Sequence, residues 1–119
     1  MNVDYERELA FVVLLRTPAR DEILGIGRYY VDEETRIAEI AFTVRDDYQE
    51  KGIGSILMEK LLKVGRSKEL AGFEAYVQSD NHRMLNILMR NGFVATGQED
   101  ADTTHWRLVF PHHGNGGSA

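Results

Sequence analysis

The 119-residue chain contains no cysteine. This absence excludes disulfide frameworks, zinc sites built from thiolates and catalysis by a thiol nucleophile. Long apolar runs are also missing, because the longest, residues 9–15, is far shorter than the ~20 residues that a bilayer-spanning helix requires. The chain does not open on a basic stretch followed by an apolar one, so no secretory signal is visible. We therefore expect a soluble, cytoplasmic protein without a membrane partner.

Basic residues are fewer than acidic ones in this sequence. Fourteen lysines and arginines stand against 19 aspartates and glutamates, which gives a net charge of −5. A protein that binds nucleic acid by neutralising phosphates needs the opposite balance, so no nucleic-acid partner is predicted. Small anions are not excluded, because a few backbone amides can hold them without net positive charge. The four histidines show no metal-ligand spacing, and no metal is predicted.

The remaining composition is that of an ordinary globular domain, with 43% hydrophobic and 28% charged residues. A chain of this length can bury about two-thirds of its unfolded surface without metal or disulfide staples. We predict a single domain over residues 1–110 and a disordered tail over residues 111–119.

The hydrophobic pattern predicts an α+β fold with the order β-β-β-α-β-α-β-β and a mixed sheet. Short polar turns join the first three strands, which indicates an antiparallel meander. Ile53, Leu57 and Leu61 then recur at helical spacing. The predicted strands are residues 6–16, 23–31, 36–45, 73–77, 93–95 and 103–110, and the predicted helices run from Gly54 to about Lys68 and from Asn81 to about Asn91.

A loop with two glycines, residues 49–54 (QEKGIG), joins the third strand to the first helix. Glycine allows backbone conformations and close approaches that other residues bar. The helix start adds unpaired N–H groups and the positive end of its dipole, a combination that binds phosphate or pyrophosphate. An isolated G-x-G is also common in ordinary strand-to-helix turns. The spacing fits neither the Rossmann fingerprint nor the P-loop.

Four segments in this order resemble the GNAT N-acetyltransferase superfamily: residues 38–44 (AEIAFTV), residues 47–54 (DYQEKGIG), Asn81 and residues 91–93 (NGF). In that family the Gln-x-x-Gly-x-Gly element is the acyl-CoA pyrophosphate loop. Residues 4–10 (DYERELA) resemble the entry to the acetyltransferase domain of bacterial protein lysine acetyltransferases, which is often fused to a regulatory or acyl-CoA synthetase-like domain.

The resemblance implies acetyl-CoA as co-substrate and assigns its contacts. The strand before the loop would pair its free backbone groups with the pantetheine arm, as an added strand does. Asn81 would hydrogen-bond the same arm, although an asparagine there is equally suited to capping the helix. The implied cofactor-binding residues are Phe42, Thr43, Val44, Gln49, Glu50, Lys51, Gly52, Ile53, Gly54, Ser55 and Asn81.

Glu39 is the predicted catalytic residue. A lysine ammonium must lose a proton before its amine can attack a thioester, and the resemblance puts the general base in this Ala-Glu-Ile context. A carboxylate in a mostly apolar strand is expected to be partly buried, which makes it a stronger base. The alternative is a surface glutamate on an edge strand. The family's tyrosine acid corresponds to Leu88, so no such acid is predicted.

The chain departs from the family pattern in lacking the first strand and the first two helices. Those elements form one wall of the family's acceptor site, so this chain alone is expected to bind acetyl-CoA but to acetylate slowly or not at all. Three functions remain open: acetylation of a protein lysine, acetylation of a small-molecule amine, and non-catalytic acyl-CoA binding in a regulatory domain. A fused or partner domain upstream is an expected partner.

Overall fold

The structure is a computed structural model that describes residues 7–49 and 51–111. It confirms the predicted order of elements. Glu50, a predicted cofactor-binding residue, lies outside the described residues. So do residues 112–119, which belong to the predicted disordered tail. The elements are β1 (Glu8–Arg16), β2 (Asp21–Val31), β3 (Ile37–Val44), α1 (Ile53–Ser67), β4 (Gly72–Gln78), α2 (His82–Arg90), β5 (Val94–Gln98) and β6 (Thr103–Val109), with a 3₁₀ turn at Asp46–Tyr48.

The six strands form one mixed sheet in the order β1-β2-β3-β4-β6-β5. The meander β1-β2-β3 is antiparallel as predicted. Helix α1 is the crossover that makes β3 and β4 parallel, and their pairing is short, running from Ile37–Gly72 to Glu39–Glu74. Beyond that point no β3–β4 pair is formed, so the two strands separate in the middle of the sheet.

Both helices contribute to one core on a single face of the sheet. Alternating residues of β3 and β4 face that core, as the period of two in a strand requires, and helical spacing brings one side of α1 and of α2 against them. The opposite face exposes apolar side chains such as Val12, Leu14 and Tyr30. Within the described residues, no helix is long and apolar enough to cross a membrane. The main core comprises Tyr29, Ala38, Ile40, Met58, Leu61, Leu62, Leu70, Phe73, Ala75, Val77, Leu88, Phe93 and Phe110.

Gly65 lets α1 approach the sheet closely. A Cβ at this position would lie 2.7 Å from Phe73 Cζ and 3.2 Å from Phe110 Cε2, both in the core. Helix propensity favours Gly65→Ala by about 1 kcal/mol, whereas overpacking a tight core costs about 1–3 kcal/mol. We expect this variant to be less stable by up to about 2 kcal/mol in urea unfolding. Ser67→Ala in the same helix is the control. A more stable Gly65→Ala would contradict the close packing.

Candidate active site

The two-glycine loop starts helix α1 in an open conformation. Gly52 is the residue before the helix and has a left-handed backbone, with φ of 83°. It has no side chain to cap the first amides, and the Ile56 amide donates to the Gly52 carbonyl at 3.0 Å. Ile53 is buried against Leu24 and Leu57, which anchors the helix start in a second small core. The N–H groups of the first turn are therefore presented at a fixed place, as an anion site requires.

Gln49 ties this loop to the elements on either side of it. Its Nε2 donates to the Val44 carbonyl at 3.3 Å, and its Oε1 accepts from Arg83 Nη1 at 2.8 Å. The bond to Arg83 brings a guanidinium from the first turn of α2 beside the loop. The loop is thus bound to the end of β3 and to α2, and a positive charge accompanies the helix amides.

Arg45 fixes the start of the same loop. Its guanidinium bonds Asp47 at 2.8 Å and Glu22 on β2 at 2.7 Å. The hydrogen bond from Arg45 holds the pKa of the Asp47 carboxyl below its usual range. The side chains of Arg45 and Asp47 are 40% and 62% exposed, so solvent screens their ion pair, and we assign the network to the shape of the loop and not to the stability of the fold.

A cleft of about 500 Å³ opens between this loop, the end of β3 and helix α2. Seven of the predicted cofactor residues line it, together with α2 residues at helical spacing. The lining is Phe42, Val44, Tyr48, Gln49, Gly52, Gly54, Ser55, Asn81, Arg83, Met84, Asn86, Ile87 and Arg90.

The cleft continues into a slot of about 220 Å³ where β3 and β4 separate. Ala41 and Phe42 line it from β3 and Tyr76 from β4, and Asn81 and Met84 belong to both spaces. Because β3 has no strand partner on this side beyond Glu39, its backbone groups there are available to an extended ligand.

Glu39 lies at the point where the slot begins, in the last β3–β4 residue pair. Its side chain is exposed, so the predicted partial burial is wrong. Side chains alternate between the two faces of a strand. Since Ala38 and Ile40 occupy the core face, Glu39 points to the other face. The alternative is confirmed for the surface exposure of Glu39, but its edge-strand part is wrong, since β3 lies between β2 and β4.

Not every predicted residue lines the cleft. Thr43 and Lys51 are exposed outside its lining, and the side chain of Ile53 is in the core, which leaves its backbone amide for binding. Asn81 caps α2 through a hydrogen bond from the Met84 amide at 3.2 Å, and it also lines the cleft. Leu88 is fully buried.

The sequence analysis missed most of the cleft wall that α2 supplies. Asn86, Ile87 and Arg90 line the cleft. The signal was available, because Arg83, Asn86 or Ile87, and Arg90 recur at intervals of three and four residues and so share one helix face. Among residues 7–49 and 51–111, no three histidine, aspartate or glutamate side chains are arranged to hold a metal ion.

Comparison with known proteins gives three findings on sequence. A model of the acetyltransferase (GNAT) family matches residues 2–93. Acetyltransferase PA5475 of Pseudomonas aeruginosa is 33% identical over 102 residues, covering 86% of this chain and 54% of the relative. Acetyltransferase Pat of Mycolicibacterium smegmatis is 37% identical over 93 residues, covering 77% of this chain and 27% of the relative. The chain therefore spans about half the length of the first relative and about a quarter of the second.

The fold is also similar to solved structures. The GNAT domain of S. lividans PAT superposes with a TM-score of 0.76 at 20% identity, covering 92% of this chain and 64% of that one. At this identity the likeness concerns the α+β fold, with its mixed sheet of six strands and two helices.

Proposed function

Because the chain belongs to the GNAT acetyltransferase family, we propose that it transfers the acetyl group of acetyl-CoA to an amine. One observation carries the proposal: the loop at the start of α1 and the slot between β3 and β4 open into the same cleft. A ligand with a pyrophosphate at one end and an extended arm at the other fits that arrangement. Residues 1–110 would form this acyl-CoA-binding domain.

The pyrophosphate is assigned to the first-turn amides of α1, next to Arg83. Helix N-termini favour anions through their unpaired N–H groups and the helix dipole. The pantetheine arm is assigned to the free edge of β3, where the backbone of residues 42–44 takes the place of a strand partner. Asn81 lies where the cleft meets the slot. The thioester would then lie near the β3–β4 separation, beside Ala41 and Tyr76.

Glu39 is assigned as the general base. Its carboxylate removes a proton from the acceptor ammonium, and the resulting amine attacks the thioester carbonyl. The C–S bond breaks, and the CoA thiolate leaves and takes a proton from water. Leu88 is buried and apolar, so we assign no side-chain acid at that position. Holding both reactants in one complex supplies a large part of the rate, and proton removal adds about 10²–10⁴-fold.

A protein lysine is the acceptor we favour. Glu39 is exposed on a sheet face and is not at the bottom of a narrow cavity. A lysine side chain projecting from a protein can reach such a site. A relative that is 37% identical is the acetyltransferase Pat, whose length is several times the matched part.

Labelled acetyl-CoA incubated with the protein separates the candidate functions. Acceptors are lysine-containing proteins, lysine peptides with free and blocked side chains, and small amines. We expect acetyl-CoA to bind with micromolar affinity by calorimetry and the label to reach lysine side chains. Label on small amines alone would identify a small-molecule acetyltransferase. Binding without transfer to any acceptor, also in a form that supplies the family's first strand and two helices, would identify a regulatory acyl-CoA-binding domain and contradict the proposal.

A further inference from the structure

Three polar side chains form a hydrogen-bonded chain on the sheet face that bears Glu39. Thr96 Oγ1 is bonded to His105 Nδ1, and His105 Nε2 lies 2.8 Å from Glu74 Oε1. The side chains of His105 and Glu74 are only 14% and 20% exposed. This hydrogen-bonded series of side chains lies outside the cleft, and the reaction described above does not use it.

Glu74 is the neighbour of Glu39 across the sheet. The two residues are paired in the parallel register, and both alternate with core residues, Ala38 and Phe73, so they share one face. Neighbouring strands are about 4.8 Å apart. Two carboxylates therefore stand side by side at the start of the slot.

Tyr76 is influenced by the charges of both carboxylates. Burial raises the pKa of the Tyr76 phenol, and the charges of Glu74, Glu99 and Glu39 raise it further. Both carboxylates of the pair therefore act on the same phenol, which itself lines the slot.

His105 can gain or lose a proton without leaving a hydrogen-bonding group unsatisfied. An ionised Glu74 accepts from Nε2–H, so Nδ1 of the neutral ring accepts from the Thr96 hydroxyl. In the charged ring Nδ1–H donates to Thr96, and the hydroxyl can turn to the His105 carbonyl oxygen at 3.3 Å. Histidine is the side chain whose charge changes most readily between about pH 5 and 8.

We propose that Glu74 and His105 are positioning residues that set the charge beside Glu39 and make acetyl transfer depend on the charge of His105. The proposal rests on the proposed function, since it needs Glu39 to act on an amine. With His105 protonated, its charge offsets that of Glu74, so the reaction site attracts a cationic acceptor less. With His105 neutral, the charge of Glu74 adds to that of Glu39 and favours binding of the acceptor ammonium.

Other charged side chains near Glu74 and His105 set how strongly the charge of His105 affects acetyl transfer. Arg107 Nη2 lies 3.5 Å from Glu74 Oε1, but its side chain is 41% exposed and its charge is partly screened. It remains positive throughout and so contributes no step with pH. His105 contacts Glu74 and the ring of Tyr76, both on β4. Glu39 from β3 and Glu99 from the β5–β6 turn act on Tyr76, and Arg107 from β6 contacts Glu74.

The test compares kcat/KM for the acceptor between variant and wild type from about pH 5 to 9. Taking the ratio cancels the titration of the acceptor amine. His105→Gln keeps a donor for Glu74 but never becomes charged, so we expect a ratio about three to ten times higher at low pH than at high pH. Glu74→Gln removes one negative charge whether or not His105 is protonated, so we expect it to lower kcat/KM by a similar factor at both ends of the pH range. Glu34→Gln, an exposed glutamate in the β2–β3 turn, is the control with a flat ratio.

The outcomes are distinguishable. A ratio independent of pH in His105→Gln, in a protein that acetylates amines, overturns this proposal and leaves the proposed function standing. A His105→Gln ratio that is higher at high pH than at low pH also overturns it. If the wild type acetylates no amine, both proposals fail together. Should His105→Gln not fold by circular dichroism, His105→Asn takes its place in the same comparison.

Discussion

Glu39→Gln is expected to lower acetyl transfer at neutral pH by about 10²–10⁴-fold while acetyl-CoA binds almost as before. Glutamine keeps the size and hydrogen-bonding reach of the side chain but cannot accept the proton of the acceptor ammonium. The residue acts on the acceptor, so calorimetry with acetyl-CoA should give nearly the wild-type affinity. Because Glu39 is exposed and makes no hydrogen bond or ion pair that the structure describes, the melting temperature should change little.

The pH dependence separates a base from a structural carboxylate. The loss should shrink as pH rises, because a growing share of lysine amine is then already deprotonated. Glu34→Gln is the matched control and should retain wild-type turnover. If Glu39→Gln keeps more than about half of the wild-type turnover at pH 7, Glu39 is not the base.

Gly52→Asn is expected to weaken acetyl-CoA binding by about 10- to 100-fold, the loss that follows when hydrogen bonds to a charged group are removed. A Cβ at Gly52 meets no atom within 4 Å, so the new side chain extends into the open cleft and not into the core. Asparagine tolerates a left-handed backbone better than most residues, which limits the cost to stability to about 1 kcal/mol. Calorimetry and thermal unfolding measure the two effects separately.

Gly97→Asn is the control for this substitution, because Gly97 also has open space around its Cβ position and lies on β5, away from the cleft. It should bind acetyl-CoA as the wild type does. Gly54 is a poorer test, since a Cβ there would lie 2.7 Å from Ile87 Cδ1 and would disturb the contact between the helices. Unchanged affinity in Gly52→Asn would contradict the assignment of the pyrophosphate to this loop.

The elements with strong local signals were predictable from the sequence. The apolar period of α1 and the polar turns of the meander led to the observed order of strands and helices. Gly92, which directly follows the predicted end of α2 at about Asn91, has a left-handed φ of 89°. The β5 strand was predicted too short, at residues 93–95, because its continuation Thr96-Gly97-Gln98 has no apolar pattern. It pairs with β6 through its backbone at the edge of the sheet.

The site was only partly predictable. The glycine loop could be recognised in the sequence, because its two glycines and the start of the helical spacing are local sequence features. The exposure of Glu39 could not be judged from the composition of its strand, since it depends on which face the helices cover. The hydrogen-bonded series Thr96–His105–Glu74 joins three strands, and their pairing is set by tertiary structure. Residues so far apart in sequence form no motif that could be recognised in advance.

The central claim is that acetyl-CoA lies in the cleft with its thioester in the slot beside Glu39. A crystal structure of the complex with acetyl-CoA tests it most directly. We expect the pyrophosphate on the first-turn amides of α1, the pantetheine arm along β3 at residues 42–44, and the thioester at the separation of β3 and β4. A cofactor bound elsewhere on the protein, or a thioester pointing away from that separation, would contradict the account.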